Sequence, residues 1–136
     1  MTKFILLGLT VAALSTPALA GDPAAGEDGF KKCKACHSIV APDGTEIQKG
    51  GRTGPNLYGI VGKGVASDPD FSYGDSIAAL GATGAVWDEA SLAAYTANPA
   101  EYLKTALGDP AAKSKMSFKL AAGAEDVAAY LASVAQ

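Results

Sequence analysis

A helix near the C-terminus is the clearest element that the hydrophobic pattern predicts. Its apolar residues follow the i, i+3, i+4, i+7 spacing of one helix face: Val127, Tyr130, Leu131 and Val134. Glu125 and Asp126 lie at its beginning, where acidic side chains stabilise the positive end of the helix dipole. The pattern therefore predicts an amphipathic helix with one face turned towards a core.

Four further helices are predicted from their start and stop signals. Their limits are 23–34, 75–80, 88–98 and 99–107. Asp22 can cap the first helix and Pro23 can occupy its first turn, so that this helix carries the cysteines near its end. Pro99 cannot continue the hydrogen bonding of the third helix, but it can begin the fourth.

The remaining stretches predict loops rather than strands. Residues 38 to 64 are rich in Gly, Pro, Asp and Thr, which favours a loop with at most one short helical turn. No strand is predicted from a period-2 pattern, and the chain has no internal repeat. Together these patterns predict an all-α, single-domain protein.

The first 20 residues have the pattern of a secretory signal peptide. Lys3 precedes an apolar run from 4 to 14, and the small-residue motif Ala18-Leu19-Ala20 predicts cleavage after Ala20. A membrane anchor is the alternative, but this run is well short of the ~20 residues that span a bilayer. We therefore expect a soluble, exported protein whose domain comprises residues 21–136.

Composition excludes some classes of partner. The chain has 11 Lys and Arg against 14 Asp and Glu, a formal net charge of −3. We therefore expect no nucleic-acid partner and no broad binding to anionic membranes. Large apolar side chains are few beyond residue 20, whereas alanine is abundant. Either a buried planar cofactor or close packing of alanine-rich helices could complete such a core.

The single histidine and both cysteines of the chain lie in one short motif, Cys33-Lys34-Ala35-Cys36-His37. This is the pattern for covalent attachment of haem c, in which two thiols add to the vinyl groups and the imidazole reaches the iron. A zinc site would need a further Cys or His ligand, and a thioredoxin-like pair would need a βαβ setting. A disulfide would suit an exported protein but would leave His37 without a role.

Met116 is the candidate ligand for the opposite side of a haem iron. The chain has no second histidine, and Met116 is the only methionine beyond the predicted signal peptide. A thioether is a good partner for ferrous iron, and His/Met ligation raises the reduction potential. The polar stretch around Met116 has no helical stripe, which favours a ligand over a core filler. An open or lysine-occupied sixth position is the alternative, and it would indicate ligand binding or peroxidatic chemistry.

An ordered set of further motifs accompanies the haem motif along the chain. They are Gly21-Asp22, Gly26, Phe30, Thr53-Gly54-Pro55-Asn56-Leu57-Tyr58-Gly59, Phe71-Ser72-Tyr73, Trp87, Leu92, Tyr95, Asn98-Pro99, Tyr102, Lys115-Met116-Ser117-Phe118 and Tyr130-Leu131. With them the chain resembles a class I c-type cytochrome, specifically the bacterial cytochrome c2 and c-550 group. The resemblance implies helices wrapped around one covalently attached haem.

The resemblance also implies roles for residues around that haem. Pro55 would accept a hydrogen bond from the second nitrogen of His37 through its backbone carbonyl. Tyr73 and Trp87 would hydrogen-bond a buried propionate, and Tyr95 would lie near the methionine sulfur. Such contacts are needed physically, because a ligating histidine needs an acceptor to fix its ring and a buried carboxylate needs donors.

The resemblance extends to packing, with two departures. Gly26 would let the first and last helices cross closely, with Phe30 and Tyr130 packed at the crossing. Lys63 stands where the family often has an arginine, which puts planar two-point pairing to a propionate in doubt. The segment 103–114 is longer than in mitochondrial cytochromes.

The two segments that carry the predicted iron ligands, 31–37 and 112–120, contain six lysines and no acidic residue. The lysines are Lys31, Lys32, Lys34, Lys113, Lys115 and Lys119. A positive front on an acidic protein can speed association with acidic partners by ~10–10³, in a salt-sensitive way. We therefore interpret these lysines as a surface for transient electrostatic docking.

The resulting hypothesis is a periplasmic, monomeric electron carrier that cycles Fe(II)/Fe(III) and is not an enzyme. The resemblance implies a membrane quinol-oxidising cytochrome bc complex as donor, and a photosynthetic reaction centre or a terminal oxidase or reductase as acceptor. Two alternatives stay open. One is a haem enzyme or gas sensor with an open sixth site, and the other is an electron-accepting module of a larger complex.

Overall fold

The computed structural model describes residues 20–135, and this part of the chain contains five α-helices and one small β-ribbon. The helices are α1 (Pro23–Phe30), α2 (Asp75–Ala82), α3 (Glu89–Ala97), α4 (Pro99–Leu107) and α5 (Ala124–Ser133). The predicted all-α class is confirmed. None of these helices is long and apolar enough to span a membrane. The predicted signal peptide, apart from Ala20, and Gln136 lie outside the described residues.

Side-chain caps mark the starts of three helices at the predicted places. Asp22 accepts a hydrogen bond from the backbone N–H of Ala24 at 2.9 Å at the start of α1. Asp88 and Ser91 form a reciprocal capping box at α3, with hydrogen bonds of 2.7 and 2.9 Å. Asn98 caps α4 with its side-chain oxygen. Because each cap lies next to its helix in the sequence, these starts can be predicted locally.

The prediction that the first helix runs to about Lys34 is wrong. α1 ends at Phe30, and the backbone N–H groups of residues 31 to 33 donate to carbonyls only three residues back. Lys31 donates to Asp28 at 3.3 Å, and Cys33 donates to Phe30 at 2.8 Å. The chain therefore tightens into successive turns, and both cysteines lie in these turns rather than on the helix.

The loop predicted from 38 to 64 contains a short β-ribbon. β1 (Ile39–Val40) pairs antiparallel with β2 (Glu46–Gln48). The side chain of Asn56 reinforces the ribbon, because it accepts from the Val40 N–H at 3.0 Å and donates to the Val40 carbonyl at 2.8 Å. Strands this short show no alternation of apolar and polar residues, so the sequence pattern could not reveal them.

α1 and α5 cross closely in the core. Gly26 is buried at the crossing, where a Cβ atom in its place would lie 2.7 Å from the Cβ of Tyr130. Phe30 and Tyr130 pack there with ring centroids 5.9 Å apart, and Phe30 is completely buried. α3 packs on α5, and α4 packs on both α2 and α3. α5 and the turns after α1 both line the site described next.

Candidate functional site

One cavity of about 580 Å³ is bounded by the turns that follow α1, by α2, α3 and α5, and by three irregular stretches. These stretches are 53–60, 71–74 and 113–118. The lining is mostly apolar or aromatic, with Leu92 and Leu131 among its members. Cofactor and small-molecule sites have volumes of about 300–1,000 Å³, so this cavity has the size of a ligand site.

Four residues predicted to engage a cofactor line this cavity together: Cys33, Cys36, His37 and Met116. The backbone N–H groups of Cys36 and His37 both donate to the carbonyl of Cys33, at 3.1 and 2.9 Å. The tight turn that results carries both sulfurs and the imidazole on the cavity wall. Both cysteines are free thiols. A local motif and a residue from far along the chain therefore meet at one place.

The imidazole of His37 is held in one orientation. Its Nδ1 lies 2.8 Å from the backbone carbonyl of Pro55, and because a carbonyl can only accept, Nδ1 carries the proton. Burial lowers the pKa of His37 against the opposing effect of this hydrogen bond, so the ring is neutral at pH 7. Nε2 then keeps its lone pair, which is the form in which histidine ligates a metal. This is the hydrogen bond that the resemblance implies.

Gly54 lies directly against the imidazole. A Cβ atom at Gly54 would come within 2.6 Å of Nδ1 and 2.8 Å of Nε2 of His37. Any side chain there would push the ring out of its position. The N–H of Gly54 also donates to the carbonyl of Cys36 at 2.8 Å, which ties this loop to the cysteine turn.

Met116 reaches the cavity from a segment without regular secondary structure, and its side chain is half-buried. Tyr95 lines the same cavity from α3, and its hydroxyl lies 3.4 Å from Oγ of Ser114. Burial raises the pKa of Tyr95, so this hydroxyl is protonated and can donate. The expected role of Tyr95 beside the Met116 sulfur stays a prediction.

Trp87 and Tyr73, the expected propionate donors, both line the cavity. Trp87 is buried and packs against Tyr95 and Tyr102, with ring centroids 5.2 and 6.0 Å away. The Tyr73 hydroxyl accepts from the backbone N–H of Asp68 at 3.3 Å, which leaves its own proton for another acceptor. Burial raises the pKa of Tyr73, so that proton is retained at pH 7. Hydrogen bonding of the pair to a propionate stays a prediction.

The six lysines predicted to form a docking surface are not equivalent. Lys113 and Lys115 are exposed and line the cavity. Lys31 forms an ion pair with Asp28, so part of its charge is balanced within the protein. The other three do not line the cavity: Lys32, Lys34 and Lys119. The structure therefore brings two of the six lysines to the site, and docking through them stays a prediction.

Lys63 does not line the cavity. Its exposed side chain donates to the backbone carbonyl of Tyr58 at 2.7 Å and so stabilises the loop between these two residues.

The longer stretch 103–114 begins in α4, which ends at Leu107. Gly108 follows with a φ of 61°, and the chain then turns so that Ala112 is buried. This turn leads the chain into the segment that carries Met116.

Three residues at or beside the site have no signal in the sequence: Ser76, Ile77 and Thr96. Ile77 and Thr96 line the cavity, and Oγ of Ser76 accepts from the backbone N–H of Lys113 at 3.0 Å. α2 was predicted as a helix, but its sequence carries no signal for the segment that it faces. These contacts depend on the tertiary arrangement alone.

The residues of this cavity fit a haem c group. Two thiols, an imidazole with a free Nε2 and a thioether form the donor set for covalent attachment and coordination from two sides. The apolar walls suit a large planar ring, and the phenol O–H and indole N–H groups suit its carboxylates.

The chain is similar to curated cytochromes over most of its length. It is 59% identical over 134 residues to cytochrome c2 of Rhodobacter capsulatus, which covers 97% of this chain and 98% of that protein. It is 53% identical over 129 residues to cytochrome c-550 of Paracoccus versutus, which covers 90% and 84% of the two chains. No protein-family model matches the chain.

Solved structures of the same two proteins are also similar. Cytochrome c2 of Rhodobacter capsulatus superposes with a TM-score of 0.83 at 60% identity, covering 84% of this chain and 98% of that one. Ferric cytochrome c-550 of Paracoccus versutus superposes with a TM-score of 0.83 at 51% identity, covering 85% and 99%. The helices described above therefore have the arrangement of these two structures.

Proposed function

Because the chain belongs to the family of bacterial cytochromes c2 and c-550, we propose that it shuttles single electrons through the periplasm. Membership confirms the class I cytochrome c fold and one covalently bound haem c, and it makes the protein an electron carrier rather than an enzyme. In the proposal, residues 1–20 are removed on export and the domain 21–136 acts as a soluble monomer. A membrane cytochrome bc complex is the donor, and a photosynthetic reaction centre or a terminal oxidase or reductase is the acceptor.

The observation that carries the site assignment is the meeting of both cysteines, His37 and Met116 around one apolar cavity. In the proposal, Cys33 and Cys36 would hold the haem through thioether bonds, and Nε2 of His37 and the sulfur of Met116 would bind its iron. When bound, haem c supplies an iron that cycles between Fe(II) and Fe(III). No chemical bond of a substrate is made or broken, so the task of the chain is to hold this group and control its surroundings.

The chain's own residues perform three tasks in this proposal. Pro55 and Gly54 hold the imidazole of His37 in one orientation, so that its lone pair has little freedom to move. The apolar walls exclude water, so that the surroundings of the haem iron stay similar in its two oxidation states. Tyr73 and Trp87 donate hydrogen bonds to a propionate and offset the cost of burying its charge.

Ligand identity is tested with the holoprotein matured in an exporting host. The oxidised native protein should show the weak near-infrared band of a methionine–iron bond, and Met116→Leu should lose it while keeping the covalent haem. Tyr102→Phe is the matched control, because Tyr102 packs on Trp87 but does not line the cavity, and it should keep the band. Persistence of the band in Met116→Leu, or rapid binding of carbon monoxide by the native ferrous protein, would exclude Met116 as the ligand.

The docking surface is tested through charge. Lys113→Gln and Lys115→Gln should slow reduction by a cytochrome bc complex, and the effect should shrink as salt is added. Lys104→Gln is the matched control, because Lys104 lies on α4, pairs with Glu101 and does not line the cavity. If Lys104→Gln slows the reaction as much as the other two, net charge rather than a local surface controls docking.

A further inference from the structure

The segment that carries Met116 has almost no backbone hydrogen bonds of its own. Before it, the Ala112 N–H donates to Asp109 at 3.1 Å, and after it the Leu120 N–H donates to Thr96 at 2.9 Å. Between these anchors, the backbone N–H groups of 113–119 make a single hydrogen bond within residues 20–135. That bond runs to the side chain of a residue in α2. Among the backbone N–H groups of the segment, only that of Lys113 therefore anchors it to the rest of the described chain.

The partner of that bond is Ser76, whose Oγ accepts from the Lys113 N–H at 3.0 Å. Two more contacts join the same stretches. The ammonium of Lys115 donates to the backbone carbonyl of Ser72 at 3.3 Å. A Cβ atom at Gly74 would lie 3.1 Å from Cγ of Lys115, so the backbone there touches the lysine stem. Both of these contacts use backbone atoms of the 72–76 stretch, whereas the contact at Ser76 needs a hydroxyl.

We propose that Ser76 is a positioning residue that holds the Met116 segment closed over the haem site. The proposal rests on the function proposed above, in which Met116 would bind the haem iron. In the proposal, Met116 leaves the iron when the 113–119 segment lifts from α2, and this movement breaks the bond from the Lys113 N–H to Ser76. Ser76 therefore stabilises the closed state relative to the open one without touching the ligand itself.

The size of the effect follows from the kind of bond. A neutral hydrogen bond that is partly open to water shifts an equilibrium by about two- to tenfold. We therefore expect Ser76→Ala to increase the open population by about that factor. Because alanine is favourable inside a helix, α2 itself should not be weakened.

The experiment measures segment opening with exogenous imidazole as the probe. Imidazole is titrated into the ferric holoprotein, and loss of the methionine–iron near-infrared band reports displacement of Met116. The apparent affinity for imidazole should rise about two- to tenfold in Ser76→Ala. Ser76→Thr, which keeps the hydroxyl, should behave as the native protein. Ser67→Ala is the matched control, because Ser67 is exposed and does not line the cavity.

Amide hydrogen exchange of Lys113 gives a second readout that does not depend on the iron. Its rate should rise in Ser76→Ala and stay native in the other two variants. Equal imidazole affinity in Ser76→Ala and the native protein would overturn the proposal, as would an equal rise in Ser67→Ala or no rescue by Ser76→Thr. If the native protein shows no near-infrared band, the assignment of Met116 as an iron ligand fails instead. In that case, unchanged exchange of the Lys113 amide in Ser76→Ala would still overturn the role of Ser76.

Discussion

Gly26→Ala tests whether the close crossing of α1 and α5 determines the stability of the fold. A Cβ atom at Gly26 would overlap the backbone carbonyl of Asp126 and would lie 2.7 Å from the Cβ of Tyr130. Ordinary contact between such atoms begins at 3.4 Å. The carbonyl belongs to the backbone of α5 and cannot rotate away, so the two helices must move apart.

Two opposing effects set the magnitude of this change. Alanine is favoured over glycine by about 1 kcal/mol inside a helix, so local propensity alone predicts a more stable protein. Overpacking a filled core costs about 1–3 kcal/mol. Phe30 and Val127 are 0% and 1% exposed, so moving the helices apart disturbs contacts that are already complete. Because the overlap is with a rigid backbone carbonyl, we take the upper end of the overpacking range, and after the gain in propensity is subtracted we expect the free energy of unfolding to fall by about 2 kcal/mol.

The assay is guanidinium unfolding of the ferric holoprotein, followed by the circular dichroism of its helices. Gly29→Ala is the matched control, because it makes the same change on the same helix. The nearest atom there is a methyl carbon of Val127 at 3.1 Å, which is a milder approach than the backbone overlap at Gly26. Because alanine also gains about 1 kcal/mol over glycine inside a helix, stability should stay close to native. If Gly26→Ala is as stable as the native protein, or if both variants lose the same stability, the close crossing of α1 and α5 does not determine the stability of the fold.

Three further predictions concern local hydrogen bonds. Tyr130→Phe should cost about 1 kcal/mol in thermal unfolding, because the Gln48 amide donates to the Tyr130 hydroxyl at 2.9 Å and would lose its partner; no loss would show that water replaces the hydroxyl. Asn98→Ala should lower the free energy of unfolding, measured by thermal unfolding, by about 1 kcal/mol. Asn98→Ser should keep most of the cap at α4, and equal losses of stability in the two variants would contradict this. Hydrogen bonds from Ser91 hold the pKa of Asp88 below its usual value of 3.8. The ionised cap should therefore stabilise the fold at pH values above 3.8, and this stabilisation should be lost as the pH falls through the lowered pKa. Asp88→Asn should lack this part of the acid dependence in urea unfolding at a series of pH values, and parallel pH curves for the two proteins would argue against it.

Local chemistry explains which elements could be predicted. The starts of α3 and α4 depend on Asp88, Asn98 and Pro99, each beside the helix that it begins. The Cys33 to His37 motif is also local, because its two cysteines and its histidine occupy one tight turn. A cap or a short motif carries its own physical cause, so it can be recognised without knowledge of the remaining chain.

Contacts between distant residues explain what could not be predicted. The end of α1 at Phe30, the two short strands and the bond from Lys113 to Ser76 leave no periodic signal in the sequence. The Gln48 bond to Tyr130 joins the ribbon to α5 in the same way. Packing decides these features, and packing is not encoded by any one stretch of residues.

The inventory of possible ligands can be read directly from the sequence, which contains one histidine, two cysteines and one methionine beyond the predicted signal peptide. The fold brings Met116 and His37 to the same cavity, sets the Pro55 carbonyl against the imidazole, and places Ser76 against the segment that carries Met116. This difference arises because a side chain's chemistry is a property of its residue type. The neighbours of that side chain, in contrast, depend on how the helices cross and on which hydrogen bonds hold the loops between them.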